Sequence, residues 1–292
     1  MYTFTCFGEV LWDVFPDHEK IGGAPLNVAL RLKSFGNDVA MISAVGKDDL
    51  GKQLISYINE NKLTSTYIQV HEAYQTGKVN VILDPKGSAS YEIKYPVSWD
   101  YIALNDENIK LVKESKVFIY GSLICRHSVS KDTLFKLLDQ ANFKVFDVNL
   151  RAPFYSFELL HDLMSKADFV KFNDEELDLV VKNLNPELRS IEDQIIFISR
   201  KFNVSHICVT RGGEGAVLWI NGQFYYNSGY LIKVRDTVGA GDSFLASLIY
   251  NITKGATPQY ALDFACAVGA LVAGSEGANP KIKLTDISKM IA

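Results

Sequence analysis

The stretch Asp236-Thr237-Val238-Gly239-Ala240-Gly241-Asp242-Ser243-Phe244-Leu245 joins two glycines and a carboxylate to the start of an apolar helical period. Gly239 and Gly241 permit backbone turns that other residues resist, so consecutive N–H groups can point inward. Phe244, Leu245, Leu248, Ile249 and Ile252 follow with the spacing of a packed helix. N–H groups at a helix start attract anions, which makes Gly239, Ala240 and Gly241 an expected phosphate-binding turn. A carboxylate repels phosphate, so Asp242 is expected to take a proton from an incoming hydroxyl as a general base. A plain helix cap is the other reading of an Asp at this place.

Further groups of polar residues punctuate the chain. Gly8-Glu9-Val10-Leu11-Trp12-Asp13 follows a strand-like run, and Ile21-Gly22-Gly23-Ala24-Pro25-Leu26-Asn27 opens a helix. The Asp13 carboxylate can accept from two hydroxyls, and the Asn27 amide both donates and accepts, which suits vicinal hydroxyls; Gly22 and Gly23 permit close backbone approach. A turn residue and a helix cap explain Asp13 and Asn27 as well. Asp147-Val148-Asn149-Leu150-Arg151 ends another run, and extended alternation would put Asp147, Asn149 and Arg151 on one face. Arg151 could neutralise a transferring phosphoryl group, or pair structurally with an Asp.

Asn173-Asp174-Glu175-Glu176 offers oxygen ligands for Mg²⁺, directly or through water, and also reads as an acidic helix start. Thr210-Arg211-Gly212-Gly213-Glu214-Gly215 would let a nucleotide approach backbone, and a tight hairpin turn fits it equally. There is no Gly-x-x-x-x-Gly-Lys-Ser/Thr, and Phe244 stands where a dinucleotide fingerprint needs Gly.

The elements that must hold these residues alternate. Val39 to Val45, Val117 to Tyr120, Val145 to Val148, Phe169 to Phe172 and Ile207 to Thr210 read as strands, with helical segments at Leu50 to Ile58, Leu134 to Leu138 and Glu175 to Val181. This is the βαβ rhythm of a mainly parallel sheet covered by helices, and ligands of such sheets sit beyond the carboxyl ends of the strands. Gly121, Asn149, Asn173 and Arg211-Gly212-Gly213 follow those runs. Lys78 to Leu83 and Ser90 to Lys94, joined by Asp84-Pro85-Lys86-Gly87, break the rhythm as a β hairpin, read as a lid that excludes water.

With 292 residues and an ordinary apolar fraction, the chain can bury a sizeable core. Its net charge of −4 is scattered, so neither a nucleic-acid footprint nor a basic membrane-binding patch is expected. The N-terminus lacks the charged start and apolar core of a secretory signal, and a cytoplasmic location is expected. Cys6, Cys125, Cys208 and Cys266 are far apart, without Cys-x-x-Cys spacing, which points to neither a disulfide framework nor a zinc site.

Together these residues resemble the ribokinase-like, or PfkB, family of carbohydrate kinases over almost the full length. The N-terminal signature matches Gly22 to Ala29, the C-terminal signature Asp236 to Phe244, and the Asn-x-x-Glu motif Asn173 to Glu176. Gly8 to Pro16, Thr76-Gly77-Lys78-Val79 and Pro96-Val97-Ser98-Trp99-Asp100 look most like bacterial fructokinases. The resemblance implies one α/β domain over residues 1–292, a three-layer α/β/α sandwich with a mainly parallel central sheet and a small β-sheet lid near residues 10–20 and 74–104.

It also implies ATP and Mg²⁺ as partners in transfer of the γ-phosphoryl group to a sugar hydroxyl, with D-fructose giving fructose 6-phosphate. Ribose, 2-keto-3-deoxygluconate or a nucleoside are the alternative acceptors, and a sugar-binding regulator is the non-catalytic one. By the same resemblance Asp242 is the base, and Gly239, Ala240 and Gly241 form the anion hole. Asp13, Gly22, Gly23, Asn27 and Arg151 line the sugar, while Asn173 and Glu176 organise Mg²⁺ and phosphate. Thr210, Gly212, Gly215 and Asn279 lie along the nucleotide, and Asp236 helps hold a monovalent cation such as K⁺. Arg211 departs from the family, which often has an apolar residue there. A homodimer through the lid is a further expectation.

Overall fold

The computed structural model describes residues 2–83 and 89–292, with side chains described outside 81–91. The chain forms two compact units, one of residues up to Phe118 together with Ile124–Asn142, the other of Ile119–Leu123 with Phe143–Ala292.

The first unit runs β1 (Phe4–Phe7), β2 (Leu11–Val14), β3 (Glu19–Gly22), α1 (Ala24–Ser34), β4 (Val39–Gly46), α2 (Asp49–Glu60), β5 (Ile68–His71), β6 (Gly77–Leu83), β7 (Ala89–Ile93) and α3 (Asp106–Glu114). The chain passes between units along β8 (Val117–Gly121), and α4 (Ser128–Leu138) belongs to the first. Strand β4 pairs in parallel with β1 and β5, and every residue of β1 and β4 is buried, as continuous apolar runs of a covered parallel sheet should be. A separate four-stranded sheet has the order β3-β2-β6-β7. The expected hairpin is present as antiparallel β6 and β7, while its turn residues, Asp84-Pro85-Lys86-Gly87, lie outside the described residues.

Charged side chains pin both connections to that hairpin. On the incoming side Asp48 accepts from Gly51 N and Thr76 Oγ1 with Oδ1, at 2.8 and 2.6 Å, and from Thr76 N with Oδ2 at 2.8 Å. Partial burial opposes ionisation of Asp48, but the hydrogen bonds from Thr76 and Gly51 outweigh it and hold the carboxyl below its ordinary value. On the outgoing side the Arg126 guanidinium donates to Asp100 Oδ1 at 2.7 Å and Oδ2 at 2.8 Å, and to the Lys94 carbonyl at 2.7 Å, while lying 3.8 Å above the Trp99 ring.

The two side chains of this pair are 1% and 0% exposed. Arg126→Met therefore strands a buried carboxylate and is expected to cost about 3–5 kcal/mol in chemical denaturation, whereas Arg126→Met with Asp100→Asn recovers most of that loss.

The second unit continues with β9 (Lys144–Asp147), α5 (Phe157–Ser165), β10 (Phe169–Asn173), α6 (Asp174–Leu184), α7 (Ile191–Phe202), β11 (His206–Thr210), β12 (Ala216–Ile220), β13 (Gln223–Asn227), α8 (Ala240–Thr253), α9 (Pro258–Ala273) and α10 (Leu284–Ile291). Strands β9, β10 and β11 run parallel, with Asp147 level with Lys171 and Asn173 level with Thr210. Strands β12 and β13 then follow antiparallel. The side chains of Ser156, Asn173, Ser190 and Thr257 cap α5, α6, α7 and α9. Among the described residues no helix is long and apolar enough to cross a membrane.

Candidate active site

Helix α8 opens differently. Its N-cap is Gly239, in the left-handed region at φ 74°, and no side chain caps it. Asp242 sits in the first turn and not at the cap, so the capping explanation for this carboxylate does not apply. Only glycine fits at 239: a Cβ there would lie 2.6 Å from Ala278 Cβ and 2.7 Å from Ala278 O. The same segment is tied down next door, since Asp236 accepts from Val238 N with Oδ1 and from Gly277 N with Oδ2, at 3.0 and 3.1 Å. Asn279, two residues past Gly277, is thereby held at this end of α8. Ala240 N donates to Thr237 O at 3.2 Å and Ser243 N to Gly239 O at 2.9 Å, and the N–H groups of a helix's first turn are those an anion can take.

The carboxyl ends of the parallel strands bring further predicted residues together in this unit. Asn173 caps α6 through Oδ1 to Glu176 N at 2.7 Å, and Glu176 Oε2 accepts from Asn173 N at 2.9 Å. Glu176 Oε1 accepts from Leu150 N at 2.9 Å, bringing the turn before Arg151 to the same place. The helix-start reading of Asn173 to Glu176 is thus the observed local structure. Both Glu176 oxygens already accept a backbone N–H, and among the described residues no group of three or more His, Cys, Asp or Glu could hold a metal. This donor set fits a Mg²⁺ that keeps its waters and is carried on phosphates, not a resident ion caged by protein.

The expectation for Asp147, Asn149 and Arg151 needs correction. Strand β9 ends at Asp147, and Asn149 has φ 38°, so the extended alternation that would align the three stops before Asn149. Asp147 turns instead to Lys171, whose Nζ donates to Oδ1 at 2.9 Å with both side chains 8% exposed. Arg151 is exposed, with Nη1 bonded to the Leu150 carbonyl.

Sequence reasoning missed Lys171. Burial alone would push its ammonium down, but Asp147, then Glu176, and more weakly Asp242 overcome this and hold it above the ordinary lysine value, so it is charged. The available signal was a lysine inside the otherwise apolar run Phe169-Val170-Lys171-Phe172, where an unpaired charge is not tolerated.

Thr210 ends β11, paired with Ala216, and Gly212 and Gly215 lie on the connection to β12, so the tight hairpin is also the observed backbone. Gly215, at φ 82°, packs against the backbone of Asn227 and Gly229, which accounts for that glycine; Gly212, at φ 53°, has open space around it.

In the first unit, Asp13 lies on β2 and Asn27 inside α1, so neither is the turn residue or helix cap that composition allowed. The Asp13 carboxylate packs directly against Gly22. Gly23, at φ 112°, is the N-cap of α1, and a Cβ there would stand 2.5 Å from Glu9 O. Asn27 is buried and donates its N–H to Gly23 O at 2.9 Å. Asp13, Gly22, Gly23 and Asn27 are thus gathered around one tight crossing of Gly8 to Leu11 with the start of α1.

The fold and these signatures define a carbohydrate kinase: the chain belongs to the pfkB family of carbohydrate kinases, whose model matches residues 3–284. It is accordingly an ATP-dependent sugar kinase. It is 28% identical to the Arabidopsis thaliana protein named "Probable fructokinase-3", an alignment covering 97% of this chain and 89% of that one. Among solved structures, an uncharacterised sugar kinase from Pyrococcus horikoshii in complex with ATP matches at 27% identity and TM-score 0.84, over 99% of this chain and 100% of that chain. A double mutant of fructokinase from Vibrio cholerae O395, in its fructose, ADP and potassium ion bound form, shares the fold at TM-score 0.85 and 23% identity, over 100% and 99% of the two chains. These likenesses carry the ribokinase-like α/β class expected from the sequence.

Proposed function

We propose that the chain transfers the γ-phosphoryl group of ATP to a primary hydroxyl of D-fructose, giving fructose 6-phosphate. The observation that carries the chemistry is the start of α8, where a glycine cap, first-turn N–H groups and Asp242 coincide. Asp242 accepts the proton of the attacking hydroxyl, as positioned carboxylates do in such transfers. The N–H groups of Gly239, Ala240 and Gly241, with the Arg151 guanidinium, take up negative charge on the moving group, and most of the acceleration is positioning and charge.

Asn173 and Glu176 would hold, through water, a Mg²⁺ that would offset the charge of the phosphates. Thr210, Gly212, Gly215 and Asn279 are the nucleotide contacts of this reading, and Asp236 belongs to a K⁺ site beside the anion hole. Asp13, Gly22, Gly23 and Asn27 recognise the sugar. The four-stranded sheet is its lid, a homodimer forms through that sheet, and the enzyme works in the cytoplasm.

The choice of fructose is supported by Gly8 to Pro16 and Pro96 to Asp100 and by relatives named fructokinase. Its test is ADP release from ATP–Mg²⁺ with fructose, ribose, 2-keto-3-deoxygluconate, mannose and adenosine. Fructose is expected to give the highest kcat/KM; preference for another acceptor keeps the phosphoryl-transfer site and overturns the substrate.

A further inference from the structure

The buried ammonium of Lys171 is an expensive feature whose partner, Asp147, does not account for it. A buried ion pair whose function is only structural can be exchanged for uncharged groups of similar shape at little cost in stability. Lys171 reaches beyond that partner. On β10 it points to the same side as Asn173, two residues on. Its Nζ lies 3.7 Å from the position a Cβ would take on Gly241, within the first turn of α8. Asp147, Glu176 and Asp242 all act on it electrostatically. Asp147 is bonded to this cation, and Asp242 follows Gly241 in the turn it approaches; without the cation their charge would repel an anion at the helix start.

We propose that Lys171 is a positioning residue for phosphoryl transfer: its fixed charge offsets Asp147, Glu176 and Asp242 and keeps the anion-binding turn of α8 electropositive. This rests on the phosphoryl-transfer reading of that turn. In a dry site one charge at such range weighs far more than in water, and it acts on the phosphate end of the reaction while leaving sugar recognition alone.

The test compares Lys171→Met, Lys171→Met with Asp147→Asn, and Lys171→Arg in the full chain, measuring steady-state kinetics, calorimetric binding of ADP and of sugar, and thermal melting. Both variants without the cation are expected to lose about 10²-fold or more in kcat and to bind ADP more weakly, with sugar affinity unchanged. Lys171→Arg, which keeps the charge, is expected to fall between them and the wild type. The double variant also removes Asp147, the carboxylate bonded to Lys171, and so reads the loss of the cation beside Glu176 and Asp242 even where the single variant folds poorly. A double variant that folds and turns over at the wild-type rate would overturn the proposal, as would equal losses in the Arg and Met variants. A wild-type protein that phosphorylates no sugar would instead sink the phosphoryl-transfer reading beneath it, which separates the two failures.

Discussion

Asp242→Ala is expected to lower kcat by about 10²–10⁴-fold, the usual contribution of a general base, with thermal melting close to that of the wild type. The reason for the split lies in where the carboxylate sits. Asp242 occupies the first turn of α8 while Gly239 is the N-cap, so the substitution leaves the cap residue in place. The core face of α8, with Phe244, Leu245, Leu248 and Ile249 buried, is untouched. Sugar-dependent ADP release and a melting curve on the same sample check it; near-normal turnover in the folded variant would remove Asp242 from the role of base.

The second large effect is expected from Gly239→Ala, with a loss of about 10²–10³-fold in kcat, the scale on which removing an oxyanion donor acts. Two penalties coincide at this glycine. Its φ of 74° is strained for any residue with a Cβ, and that Cβ would stand 2.6 Å from Ala278 Cβ and 2.7 Å from Ala278 Cα. One or both of the α8 turn and the segment Gly277 to Asn279 must therefore shift, and Asp236 already fixes Gly277 from the other side. Gly255→Ala is the control, because Gly255 has φ 78° but nothing within 4 Å of its Cβ position. It is expected to carry only the local backbone penalty of about 1–2 kcal/mol. Kinetics and ADP calorimetry on both variants distinguish a deformed anion site from a merely strained glycine.

How legible these features were depends on how local they are. The Gly239 turn and Asp242 lie in one contiguous stretch, so spacing alone marked them as a candidate site. The strands β4, β8, β9, β10 and β11 were readable because buried parallel strands are continuous apolar runs. Helix α9 was not delimited, since its long apolar sequence gives little contrast between faces. Residues Asp147 to Arg151 misled because Asn149 leaves the extended conformation, as Asn does more readily than most residues, and one such residue ends the alternation. Lys171 needed the fold: its partners Asp147, Glu176 and Asp242 come from separate parts of the chain and meet it only once β9, β10, α6 and α8 are in place. The same holds for Asp13 against Gly22, a contact made by pairing β2 with β3.

The central claim is that the start of α8 moves a phosphoryl group onto a sugar with Asp242 as the base. The most direct measurement follows label from the γ-phosphoryl group of ATP in the presence of fructose, with wild-type and Asp242→Ala proteins side by side. The account predicts label in fructose 6-phosphate from the wild type, at a rate that falls by orders of magnitude in the folded variant. Label released only as inorganic phosphate, or transferred to sugar equally fast without Asp242, would contradict it.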